Sequence, residues 1–118
     1  MILDARLVIE ELSRLCESGI PVIVEGKSDR EALEAFGISN IVTLDRPFFE
    51  IVESLAKSSS EVAILTDLDA QGKQYYHRLY IDLTRHGVKI DNRLRYLLLS
   101  ETKVRQIEGL ARWMERSA

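Results

Sequence analysis

One cysteine in 118 residues has nothing to pair with, so no internal disulfide braces this chain. No apolar run approaches the roughly 20 residues that a membrane helix needs. The first residues carry Asp4, Glu10, Glu11 and Glu17, where a secretory signal would require a basic start and an unbroken apolar stretch. These absences lead us to expect a cytoplasmic protein with no membrane partner. The two histidines, His77 and His86, lie nine positions apart on opposite faces of one expected helix, so zinc ligation is not expected. Repeats, low-complexity tracts and linkers are missing as well. Cys16 falls in an apolar helical pattern and is expected to be buried.

What is present is enough for one core. A 46% hydrophobic chain of this length fits a single domain, residues 1–118, and has no room for two. The net charge of −3 hides an asymmetry. Residues 1–72 hold six Lys/Arg against fourteen Asp/Glu, a balance of −8, whereas residues 73–118 hold ten against five, a balance of +5. An acidic part suited to cations is followed by a basic part suited to phosphates, unless those bases only solvate exposed helix faces.

Apolar spacing divides the chain. Ile2, Ala5, Val8 or Ile9, Leu12, and Leu15 or Cys16 mark an amphipathic helix within residues 1–19, closed by Ser18-Gly19 and Pro21. Val22-Ile23-Val24 reads as a short buried strand. Ser28-Asp29-Arg30-Glu31 has the form of a capping box opening a helix that Gly37 ends. Ile41–Leu44 is a second strand, and Pro47, at a first helical position, starts a helix to about Lys57. Val62–Leu65 is a third strand, followed by a helix from about Ala70 to His86. Val88-Lys89-Ile90 is a fourth strand. Alternating strands and helices imply an α/β fold with a parallel sheet and helices on both faces. Residues 91–118 form a helical extension. Leu94, Leu97 and Leu98 mark one helix, and Ile107, Leu110, Ala111 and Met114 a second that contains Gly109.

Two motifs carry chemistry. Val22 to Asp29 reads Val-Ile-Val-Glu-Gly-Lys-Ser-Asp, and Ala63 to Lys73 reads Ala-Ile-Leu-Thr-Asp-Leu-Asp-Ala-Gln-Gly-Lys. Both are apolar strands that end in acid and open into a helix, so Glu25, Asp67 and Asp69 stand at carboxyl strand ends, where open α/β sheets bind ligands. If these strands are neighbours, their ends lie ~5 Å apart. Carboxylates from both would then share a hard cation, Mg²⁺ or Mn²⁺, completed by water and phosphate oxygens. Gly26 permits a sharp turn and close backbone approach. Lys27 and Lys73, each directly after a motif glycine, are candidate phosphate contacts at helix starts. Gly26-Lys27-Ser28 lacks the earlier glycine of a phosphate-cradling Walker loop. Either motif alone is weak, because Asp caps helices well; the pair is far more specific.

With both motifs in place the chain resembles the Toprim family, whose signature is Glu-Gly after the first strand and Asp-X-Asp after the third. The resemblance spans about residues 20–90. It implies a three-layer, Rossmann-like fold with a four-stranded parallel sheet in order 2-1-3-4. It also implies that Glu25 acts as general acid or base, that Asp67 and Asp69 hold Mg²⁺, and that Asp29 supports Glu25 and its turn, with Gly72 supporting the second motif. The form Val24-Glu25-Gly26-Lys27-Ser28-Asp29 is most similar to the 5S ribosomal RNA maturation ribonuclease, and the family includes bacterial-type primases. Gln71 stands where topoisomerases often carry a third acid, and a separate domain to hold a nucleophilic tyrosine is not expected to fit in these 118 residues. Tyr75, Tyr76, Tyr80 and Tyr96 read as packing or rim residues, and Trp113 as core, with base stacking the alternative.

The expected function is Mg²⁺-dependent action on phosphodiester bonds of RNA or DNA, nuclease-like. The alternative is a non-catalytic module that binds nucleic acid or protein. A protein partner or a homodimer is compatible with either.

Overall fold

The computed structural model describes residues 5–117; Ile2, set at the head of the first expected helix, and Asp4 lie outside them. The chain alternates helix and strand: α1 (Ala5–Ser18), β1 (Val22–Val24), α2 (Lys27–Glu34), β2 (Ile41–Thr43), α3 (Phe48–Ser58), β3 (Glu61–Ile64), α4 (Ala70–Arg85) and β4 (Lys89–Asp91). Then come α5 (Arg93–Glu101), a 3-10 turn (Ile107–Gly109) and α6 (Leu110–Ser117). The four strands form one parallel sheet in order β2-β1-β3-β4. Val22 pairs with Ile41 on one side and Ala63 on the other, so the β1 and β3 ends lie side by side.

Strand alternation sorts the core into two layers. Val22, Val24, Ala63 and Leu65 join Val8, Leu12 and Leu15 of α1, Leu33 of α2 and Leu94 and Leu98 of α5. Ile23, Val62 and Ile64 face the other way, onto Ile51, Val52 and Leu55 of α3 and Leu79 and Leu83 of α4. Helices therefore cover both faces, as a parallel sheet requires. Leu33, Ile51, Leu79 and Leu83 are fully buried, and truncating any one to Ala costs about 2–5 kcal/mol. The chain leaves β1 toward β2, and after β3 it runs the opposite way to β4. The order reverses between β1 and β3, which opens a crevice at their carboxyl ends.

Several boundaries differ from the sequence reading. Helix α2 begins at Lys27 with Gly26 as N-cap, two residues earlier than a Ser28–Glu31 box requires. Asp29, the third helical residue, reaches back to accept from the Gly26 amide at 3.2 Å. Pro47 is the extended N-cap of α3 rather than its first helical residue. Gly109 closes the 3-10 turn instead of interrupting a helix. Cys16 is exposed. The buried stripe of α1 runs through Val8, Leu12 and Leu15, which turns Cys16 aside, where its thiol donates to the Gly37 carbonyl at 3.0 Å.

Candidate functional site

The crevice between β1 and β3 gathers the two motifs. Glu25 follows β1 immediately, and its Oε2 accepts from the Asp67 amide, just past β3, at 2.7 Å. This bond ties the first motif to the second across the switch point. Asp67 Oδ1 accepts from the Ile107 amide at 2.9 Å. The Leu68 amide donates to the Arg105 carbonyl at 2.7 Å, so the C-terminal segment is laced to the second motif. Asp69 is the N-cap of α4: its Oδ1 accepts from the Gly72 amide at 2.8 Å, and Oδ2 accepts from Gln106 Nε2 at 3.3 Å.

Gly72 is required here by space. A Cβ at this position would collide with the Asp67 carbonyl oxygen and carbon. The α4 start lies directly against the Asp67 backbone, and only a residue without a side chain permits that approach. The Thr66 hydroxyl locks the same turn by donating to the Gly72 carbonyl at 2.7 Å.

Beneath the acids lies a residue that sequence reasoning missed. Arg95, on α5, is 1% exposed. It donates to the Thr66 carbonyl at 2.6 Å, the Thr66 hydroxyl at 3.2 Å and the Asp67 carbonyl at 3.2 Å. Its guanidinium lies 4.3 Å from the centre of the Tyr76 ring, and the Tyr76 hydroxyl donates to Asn92 at 2.6 Å. Among the described residues no carboxylate forms a salt bridge with Arg95. Its charge is met by carbonyl dipoles and an aromatic face. The available signal was its position: Leu94, Arg95 and Leu98 share one buried helix face, where a cation needs partners.

The electrostatics are those of crowded acids. Burial raises the Glu25 carboxyl above its ordinary value, and Asp67, Asp69 and Asp29 push it the same way against the Asp67 amide. Burial also raises Asp67, with Asp69 and Glu108 adding to it and the Ile107 amide and Arg95 opposing. Asp29 is raised by burial and by Asp67, against the Gly26 amide. Like charges in a half-dry crevice disfavour joint ionisation.

Among the described residues, no three His, Cys, Asp or Glu side chains are grouped so as to hold a metal ion. Glu25, Asp67 and Asp69 each turn one oxygen to a backbone amide. Among the same residues, nothing donates to Glu25 Oε1 or Asp67 Oδ2. That donor set fits a cation held by one or two carboxylates and several waters, the usual manner of Mg²⁺. It is not a closed protein cage. Lys27 and Lys73 are both exposed at the starts of α2 and α4, and the Lys27 amine lies 3.9 Å from Glu31 on its own helix. His77 and His86 are exposed.

The architecture is a three-layer α/β domain with an acidic crevice at the switch point of a parallel sheet. The chain is 32% identical to a UPF0292 protein of Methanocaldococcus jannaschii, over 92% of this chain and 88% of that one. It is 33% identical to a UPF0292 protein of Pyrococcus furiosus, over 78% and 73% of the two chains. It belongs to the UPF0292 family. No protein-family model matches it. Among solved structures, an Aquifex aeolicus protein superposes with a TM-score of 0.80 at 27% identity, covering 90% of this chain and 97% of that one. The zinc-binding and RNA polymerase domains of the Aquifex aeolicus primase contain a similar fold, with a TM-score of 0.51 at 23% identity. That likeness covers 91% of this chain and 28% of the primase chain.

Proposed function

We propose that this protein is a small Toprim-type, Mg²⁺-dependent protein acting on nucleic-acid phosphodiester bonds. The observation that carries the reading is the 2.7 Å bond from the Asp67 amide to Glu25, which unites the two acidic motifs at the switch point. The likeness of fold to the primase domains supports a nucleic-acid substrate. Asp67 and Asp69, with Glu25 beside them, would hold Mg²⁺. When bound, the ion would supply positive charge to a phosphoryl group and its leaving oxygen. Glu25 holds or releases a proton at Oε1, the oxygen that takes no amide, and its raised pKa suits that task. Asp29 holds the Gly26 turn beneath it. Arg95 anchors the Asp67 backbone, which fixes where the second acid stands. Gly26 keeps the first turn free of a side chain, and Lys27 and Lys73, exposed at two helix starts, orient phosphate from the rim.

One observation favours a second reading, a non-catalytic nucleic-acid or protein-binding module: no three-ligand set is gathered among the described residues. Cleavage separates the two. Structured RNA and single- and double-stranded DNA are incubated with Mg²⁺ or Mn²⁺ and either wild type or Glu25→Gln. Cleavage by wild type, reduced at least about a hundredfold in the variant, supports the enzyme. Equal cleavage by both removes Glu25 from the chemistry, and cleavage by neither favours the binding module.

A further inference from the structure

The C-terminal segment forms a groove of about 260 Å³ beside the acidic crevice. Lys103, Arg105, Arg112 and Arg116 line it together with Trp113. Arg112 and Arg116 lie one helical turn apart on α6, with Trp113 between them in the same wall. The acids of this segment, Glu108 and Glu115, are not part of the lining. Among the described residues, none of the four groove cations forms a salt bridge with a carboxylate. Arg105 instead donates to the Thr102 and Val104 carbonyls, at 3.1 and 2.8 Å, and so shapes the groove floor.

Cations that fold into one wall without acidic partners hold a field that attracts anions. Trp113, partly buried and packed against the core as the sequence suggested, lines the groove with the rest of its ring and adds an aromatic surface for a flat, unstacked base. Gln106 joins the groove to the crevice, because it lines the groove while its side-chain amide donates to Asp69 at 3.3 Å.

We infer that this groove binds single-stranded nucleic acid, its phosphates on Arg112, Arg116 and Lys103 and a base against Trp113, and leads the strand past Gln106 to the acidic crevice. This rests on the nucleic-acid reading above and adds to it a route and a strand form. A duplex keeps its bases stacked and offers Trp113 no face, so single strands are preferred over duplex. A neighbouring basic wall also resolves an electrostatic difficulty, since the crevice acids alone repel a polyanion.

Trp113 is the only tryptophan of the chain, so its fluorescence reports the groove directly. The 118-residue protein is titrated with oligo-dT, oligo-U, a DNA duplex and polyglutamate across a range of salt. The expected result is quenching by the single-stranded oligonucleotides, weakening steeply with salt, with duplex and polyglutamate bound at least about tenfold more weakly. Arg112→Glu with Arg116→Glu, both exposed, reduces affinity at least about tenfold and lowers the salt slope by about 0.7 for each phosphate no longer neutralised. Trp113→Phe, followed by anisotropy, retains most of the binding because a ring remains. Oligonucleotide binding that is unchanged by the double charge reversal and leaves Trp113 fluorescence unmoved overturns the groove while leaving the nucleic-acid reading intact. Equal affinity for polyglutamate or duplex overturns the strand assignment. If no nucleic acid binds wild type, both readings fall together.

Discussion

Acids stand at the carboxyl ends of three neighbouring strands, and the protein treats them in opposite ways. At the end of β4, Asp91 is gripped by Arg14 of α1 through two hydrogen bonds of 2.6 and 2.9 Å. Burial pushes Asp91 up, but the Arg14 bonds and the Arg93 amide outweigh it and hold the carboxyl below its ordinary value. At the ends of β1 and β3, Glu25 and Asp67 have no such cation among the described residues, and both are raised. Arg95 lies close by but spends its donors on Thr66 and Asp67 main-chain carbonyls. The same residue type at the same sheet edge is thus a structural clasp in one place and a crowded, under-neutralised group in the other. Among the described residues, strand-end acids are raised where the strand order reverses and not at β4, and that crowding is what the proposed cation would relieve.

The largest blow to this difference comes from the turn that places Asp67. Gly72→Ala puts a methyl group into the Asp67 carbonyl. Backbone cannot swing aside as a side-chain tip does, so we expect a loss of about 3 kcal/mol or more in urea unfolding, with any crevice function lost as well. Next comes Arg95→Met, which keeps the bulk but removes the donors to Thr66 and Asp67. Unpaired buried carbonyls make this worth about 2–3 kcal/mol. A variant as stable as wild type would mean that the bonds to Thr66 and Asp67 do not hold this turn in place.

These two residues mark the limit of what the sequence made legible. The parallel sheet followed from apolar strands alternating with helices, which are local signals, whereas its order, and with it the meeting of Glu25 with Asp67, was implied only by the Toprim resemblance of the two motifs. Gly72 was visible as part of the motif, but the Asp67 carbonyl it must clear is a tertiary neighbour. Arg95 was hidden because its partners are main-chain atoms, which leave no residue type to notice. The bonds from Ile107 and Gln106 to Asp67 and Asp69 were hidden for a related reason: an amide donates whatever its side chain. Cys16 misled because it sits one position beyond the buried stripe of α1.

A paired substitution sharpens the comparison at smaller amplitude. Asp91→Asn removes the anion from the Arg14 clasp and, with Arg14 still partly in solvent, should cost about 1–2 kcal/mol at neutral pH. Glu25→Gln keeps an acceptor for the Asp67 amide while removing a repelled charge, so its stability at neutral pH should equal or slightly exceed that of wild type. A Glu25→Gln protein destabilised as much as Asp91→Asn would show that Glu25 is a clasp as well.

The smallest effect is the most discriminating, because the two regions respond to pH with opposite sign. A depressed acid stabilises the fold above its unfolded value, and that contribution is lost as pH falls through the lower folded value. The Asp91 clasp should therefore fade below about pH 4, the ordinary carboxylate value. The raised acids behave in reverse: the folded state takes up their protons first, so stability increases as pH falls from neutral through their elevated values toward about pH 4. Urea midpoints should accordingly rise on mild acidification and then drop on further acidification. Asp91→Asn should flatten the acid-side drop alone, and Glu25→Gln should shallow the rise alone. Mg²⁺ at millimolar concentration should also shallow the rise, by favouring the ionised crevice, and leave the drop unchanged. A rise untouched by both Mg²⁺ and Glu25→Gln would place its origin outside the crevice and remove the tension that distinguishes β1 and β3 from β4.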